Sequence, residues 1–269
     1  MGNAAAAATS DQSAPLKVEQ IGAVMTVGLN RPAKRNALND GIILALQECF
    51  SNIPDGIGAV VIHGIGDHFS SGLDLSELTE HDATEGLRHS QMWHRGFDRV
   101  QYCRVPVIAA LKGAVIGGGL ELACAAHIRV AEPSAYFALP EGQRGIFVGG
   151  GGSVRLPRLI GVARMTDMML TGRVYSAIEG ASYGFAQYLT EEGNALAKAV
   201  ELATKVATNA PLTNFAVLQA LPMIAEANPQ TGLLMESLMA TVAQSDKEAK
   251  RRFRAFLDRK TAKVKPGQT

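Results

Sequence analysis

Three consecutive glycines, Gly117, Gly118 and Gly119, stand between a compact apolar run at residues 107–111 and a helix-forming segment at 120–126. This strand–glycine–helix order constrains the fold more than any other feature of the chain. A short apolar run without polar alternation is the pattern of a strand buried on both faces, as in a parallel sheet covered by helices. Glycine lets the backbone take positive φ and approach a ligand closely. A helix that starts there directs free N–H groups and the positive end of its dipole into one place, a site for phosphate or for a developing oxyanion. The same glycines also serve a tight strand–helix turn. Two nucleotide motifs are excluded. A dinucleotide fingerprint needs a further glycine where Glu121 or Leu122 stands, and a phosphate loop needs Lys followed by Ser or Thr.

The rest of the chain continues the alternation. Two apolar runs within 18–29, split by Ile21-Gly22-Ala23, predict a strand pair, and Asn39 or Asp40 caps a helix reaching about Phe50. Residues 59–63 read as a buried strand, 64–72 as a loop leading into Leu73-Asp74-Leu75, and 84–102 as a long mixed helix. Strands follow at 127–131 and 135–138; from Ser153 the pattern is mostly helical, and the last sixty or so residues read as three helices. The expectation is an α/β core at 16–205 carrying the active site, a helical region at 206–269, and a disordered Ala- and Ser-rich lead at 1–15 without the basic stretch of a signal peptide.

Composition narrows the function classes. At 269 residues and 47% hydrophobic content the chain can build its core without disulfide or metal staples. Cys49, Cys103 and Cys124 are odd in number and lack a CxxC pair, which suits reduced thiols and a cytoplasmic setting. The net charge of +1 argues against a broad nucleic-acid surface, and no apolar run is long enough for a membrane span. The six histidines form no metal-binding spacing.

Two carboxylates stand near the glycines. Glu121 falls in the first turn of the helix that follows them, where the dipole favours negative charge, and Glu141 follows Pro140 at the end of a short strand. Each alone reads as a solvated charge. Sharing a poorly hydrated pocket, they cannot both ionise at low cost, so one becomes an acid and the other a base near neutrality.

Residues 29–32 (Leu-Asn-Arg-Pro), 35–38, 69–75 (Phe-Ser-Ser-Gly-Leu-Asp-Leu), 106–110, 117–123, 139–141 and 255–257 together make the chain closely resemble the crotonase (enoyl-CoA hydratase/isomerase) family over about residues 16–262. The resemblance implies a crotonase-like ββα spiral core with a C-terminal helical trimerisation region, an acyl-CoA substrate, and a homotrimer or dimer of trimers. It implies no metal and no redox cofactor, CoA being part of the substrate. The backbone N–H groups of Leu73 and Gly118 would form the oxyanion hole. Lys34, Arg35, Ala37, Ser71, Gly72, Asp74 and Leu75 would cradle CoA, with Lys260 reaching the phosphates of a neighbouring subunit's ligand. Glu121 and Glu141 match the catalytic pair of the family's hydratases, so hydration of an enoyl-CoA is the implied reaction.

Two departures bear on the acyl group. Val148 replaces a usual proline ahead of Gly149–Gly152, a run otherwise read as a close-packed turn, and Tyr188 stands where the family seldom has a polar aromatic. Glu121, Glu141 and Tyr188 together look most like the methylthioacryloyl-CoA hydratases of dimethylsulfoniopropionate breakdown, with Tyr188 positioning water or the acyl intermediate. A Tyr188 packed on the helical region remains the alternative. Met92 and Trp93 line an acyl pocket or, the favoured reading, pack in the core. Rival functions are a generic short-chain hydratase of fatty-acid oxidation, an isomerase or thioester hydrolase, and an RNA-binding protein. The last calls for a Lys-rich exposed helix, whereas 84–102 mixes Arg88, Arg95 and Arg99 with Glu85 and Asp98.

Overall fold

A computed structural model describes residues 14–77 and 82–258, which form two compact units. The first unit holds the described residues up to Cys103 together with Val107–Ala207. It opens with β1 (Leu16–Ile21) and β2 (Val24–Leu29), antiparallel and turned at Gly22, as the split apolar runs predict. Asn39 caps α1 (Asp40–Ser51), accepting the Ile42 amide at 3.1 Å. β3 (Ala59–Gly64) is buried at every position except His63, and α2 (Ala83–Gln101) starts from a capping box between Asp82 and Glu85.

From there the chain winds as a spiral between two sheets. β4 (Val107–Leu111) leads into β5 (Ala114–Ile116), then α3 (Gly118–Ala125), β6 (Ile128–Ala131) and β7 (Tyr136–Ala138). α4 (Gly152–Ile160), α5 (Val162–Thr171), β8 (Tyr175–Ser176), α6 (Ala177–Tyr183), β9 (Tyr188–Leu189) and α7 (Ala195–Ala207) complete it. One sheet has the order β1-β2-β3-β4-β6-β9, parallel from β2 onward, and the other is β5-β7-β8. β4 and β6 each lie in the first sheet and pass directly to a partner in the second, which is the expected ββα spiral. Small residues Ala195, Ala199 and Ala203 of α7 pack closely on Val24, Val61, Ile108 and Val130 of the large sheet. Each buried valine or isoleucine there contributes about 1.5–3 kcal/mol.

The second unit comprises Arg104–Pro106 and the described residues from Thr208. α8 (Pro211–Phe215) runs through a π turn at Ala216–Ala220 into α9 (Leu221–Glu226), followed by α10 (Pro229–Ser245) and α11 (Lys247–Leu257). The helical region therefore begins two residues beyond its expected start at 206, with the preceding helix ending at Ala207. No helix among the described residues is long and apolar enough to cross a membrane.

Several local expectations are corrected. α3 starts at Gly118, because the break lies at Gly117 (φ 53°, ψ −125°) and the next two glycines are helical. The glycine-rich run also conceals β5, too short to register as a periodic pattern. His127 does not open a strand. Its Nδ1 accepts the Val107 amide at 2.9 Å while Nε2 lies 2.9 Å from the Gln101 carbonyl, and burial pushes its pKa down to about 4. Of the lead expected at 1–15, residues 1–13 lie outside the described residues. Ala14 and Pro15 are tied down, their carbonyls accepting the side-chain and backbone amides of Asn30 at 2.9 and 3.0 Å.

Candidate active site

The two amides expected to form the oxyanion hole, those of Leu73 and Gly118, come from neighbouring segments. Leu38 and Leu73 form a short parallel bridge in which Leu38 N donates to Gly72 O and Asp74 N to Leu38 O. Alternation along that extended segment turns the Leu73 N–H away from Leu38. Ser70 is fixed beside β5 by bonds to Ala114 O and from Ile116 N, which brings Gly72 close to the start of α3. A Cβ placed on Gly72 would lie 3.4 Å from the Gly118 nitrogen. Gly118 is the first residue of α3, so its N–H has no acceptor within the helix. Leu73 and Gly118 line one cavity of about 380 Å³.

Glu121 sits one turn into α3 and is 4% exposed. Its Oε1 accepts the Gly152 amide at 2.7 Å and the Gly150 amide at 2.9 Å. Burial raises its pKa, and the two amides and the charge of Arg155 oppose the rise. The glycine run expected only to pack closely is thus a pair of donors for a carboxylate. Gly151 at φ 95° gives the loop its turn, and Arg155 braces it from inside. The Arg155 guanidinium donates to Gly150 O at 2.7 Å, to Asp98 at 2.6 Å and to Gln101 at 2.5 Å. A backbone donor leaves no mark in residue type, so only the placement of Gly150–Gly152 ahead of a helix could have signalled this role.

Glu141 caps a single 3-10 turn, Gly142–Arg144, after Leu139 and Pro140. It is 8% exposed and lines the same cavity as Glu121. A Cβ on Gly117 would fall 2.6 Å from its Oε1, which places the carboxylate beside the break that starts α3. Its buried Oε2 has no hydrogen-bond partner among the described residues. Burial, reinforced by the charge of Glu121, pushes its pKa from 4.5 up to about 7. One carboxylate is held by two amides of another loop, while the other has a buried oxygen, Oε2, with no partner among the described residues, the asymmetry expected of a base and an acid.

Glu141 carries a stability consequence. Below about pH 4 it is neutral in both folded and unfolded chains. As the pH rises from 4.5 to about 7, the unfolded chain ionises first and the folded state loses up to about 3 kcal/mol. Glu141→Gln removes that loss. Its melting temperature is expected to exceed the wild-type value by on the order of 5 °C at pH 8, with the gap closing by pH 4. A gap independent of pH in scanning calorimetry contradicts the assignment.

The other expected site residues fall into three groups. Ser71, Gly72 and Leu75 line the cavity with Leu73. Lys34, Arg35 and Ala37 form the adjoining loop, in which Arg35 and Asn36 take left-handed conformations and the Asn36 amide group donates to Ile65 O and His68 O. Asp74 acts inside that loop. Its carboxylate is held well below the usual range by the Ser76 hydroxyl, then Lys34 and Arg31, at 2.6, 3.0 and 2.8 Å. Tyr188 is placed elsewhere: it pairs with Val130 on β9, and its side chain packs against the cluster under α7, away from the cavity lining. Lys260 lies outside the described residues. Trp93, expected to be simple packing, lines the cavity; Met92 is not part of the lining.

The chain belongs to the enoyl-CoA hydratase/isomerase family, whose profile matches residues 19–266. Among solved structures it is similar to a "putative enoyl-CoA hydratase" from Rhodopseudomonas palustris CGA009, 79% identical with a TM-score of 0.90, covering 96% of this chain and 100% of that one. It is 34% identical to a "probable enoyl-CoA hydratase" of Bacillus subtilis (strain 168), over 93% of this chain and 97% of the relative. It is also 34% identical to the 2,3-dehydroadipyl-CoA hydratase of Escherichia coli (strain K12), over 90% and 95%.

Proposed function

We propose that this protein hydrates a short-chain 2-enoyl-CoA thioester. The observation that carries the reading is the pair Glu121 and Glu141 on one cavity, the first held by two amides of another loop and the second with a buried Oε2 that has no partner among the described residues. The thioester oxygen accepts the Leu73 and Gly118 N–H groups, and the loops at 34–37 and 71–75 cradle CoA. Ionised Glu121 takes a proton from water as the water oxygen bonds to Cβ. The double-bond electrons shift into an enolate whose charge rests on the thioester oxygen, where each amide contributes about 3 kcal/mol. Neutral Glu141 then protonates Cα, and passing a proton from Glu121 to Glu141 restores the starting state.

A panel of 2-enoyl-CoAs, followed by loss of enoyl absorbance and by free-thiol release, tests this. Loss of absorbance without thiol supports hydration; thiol release from saturated acyl-CoAs, or migration of the double bond without added water, contradicts it. The narrower methylthioacryloyl-CoA reading depended on Tyr188. With that ring packed under α7, nothing in the cavity lining favours a sulfur-bearing acyl group. The helical unit supports self-association, since α10 leaves Leu233, Leu234 and Leu238 more than half exposed.

A further inference from the structure

We propose that Trp93 sets the length of acyl chain the site accepts and confines it to short chains; the inference rests on the hydratase reading and deepens it. Trp93 is the single tryptophan of the sequence, 4% exposed, on the cavity-lining face of α2. The six-membered edge of its indole lies against Gly118, where a Cβ would fall 2.8 Å from Cζ3. The indole therefore stands beside the thioester position rather than at the cavity mouth.

Its orientation is held from two sides. The indole N–H donates to His89 Nε2 at 3.2 Å. Phe97 meets the indole edge-on, centroids 5.6 Å apart. Phe97 itself abuts Gly150, whose amide holds Glu121. Phe97, fully buried behind the lining, backs the indole, so Trp93 itself forms the cavity wall beside the Gly118 amide. A chain continuing past Cβ runs into a ring packed too tightly to turn aside. Phe147, elsewhere on the cavity lining, is 69% exposed. The cavity, about 380 Å³, is near the lower end of ligand sites at roughly 300–1,000 Å³.

The test compares kcat/KM for four- and ten-carbon 2-enoyl-CoAs in wild type, Trp93→Phe and Trp93→Leu. Taking the ten-to-four ratio within one preparation cancels differences in folded fraction. Trp93→Leu is expected to raise that ratio by about tenfold or more, with Trp93→Phe between it and wild type. If the leucine variant does not fold, the phenylalanine variant decides. In the wild type, butyryl-CoA is expected to quench Trp93 emission at lower concentration than decanoyl-CoA. An unchanged ratio in the variants, or a wild type that prefers the longer chain, overturns the inference. Should no enoyl-CoA be hydrated, the hydratase reading falls, and the quenching comparison alone decides whether Trp93 limits chain length.

Discussion

Glu121→Gln and Glu141→Gln each lower kcat for hydration of a short 2-enoyl-CoA by about a thousandfold, within the 10²–10⁴ range of a positioned acid or base. Glutamine keeps the shape of both side chains, and at position 121 its oxygen still accepts the Gly150 and Gly152 amides now bound at 2.9 and 2.7 Å. What is lost is a site that takes or gives a proton. Because both proton transfers are needed to complete one turnover, the double variant falls little further than either single one. KM is expected to change much less than kcat, since the proposed contacts of the thioester with the Leu73 and Gly118 amides are untouched. A Glu121→Gln enzyme that hydrates at the wild-type rate removes the two-carboxylate mechanism and points to one-carboxylate isomerase chemistry.

Gly117→Ala is expected to cut kcat by about a hundredfold and to destabilise the fold. Its φ of 53° with ψ of −125° is a conformation L side chains rarely adopt, a strain of roughly 1–3 kcal/mol. The added methyl also falls 2.6 Å from Glu141 Oε1, and the cheapest relief is to move that carboxylate off its reacting position. Gly22→Ala is the control. Gly22 has φ 59° with nothing within 4 Å of a new Cβ, so the strain comes without the displacement. Comparable melting-temperature losses in both, with activity lost only in Gly117→Ala, are the predicted result. Equal activity in the two variants contradicts the placement of Glu141.

Glu121 and Glu141 stand at local signals the sequence carries, a helix first turn and a strand end, whereas Leu73 and Gly118 enter through the family resemblance; the structure brings all four onto one cavity. The supports of Glu121 were not legible in the sequence. Gly150 and Gly152 lie 29 and 31 residues from it and act through backbone amides, which carry no residue signature. Arg155 braces that loop through Asp98 and Gln101, more than fifty positions away, a relation only the folded chain creates. Trp93 carries both readings in the sequence, pocket lining and the favoured packing, because helical periodicity marks a buried face without distinguishing core from cavity. Tyr188 carries two readings in the sequence, a polar group at the site and a packed ring; on the two-residue β9 it packs against the buried cluster and is not part of the cavity lining. β8 and β9, two residues each, are below the length at which alternation registers.

The opposed protonation of the two carboxylates is tested most directly by the pH dependence of kcat/KM on a short 2-enoyl-CoA. Glu141 must carry its proton to deliver it to Cα, and its pKa is raised to about 7. The expected profile falls above about pH 7, approaching a tenfold loss per pH unit by pH 9. A profile that stays flat or rises through pH 9 contradicts a neutral Glu141 as the acid.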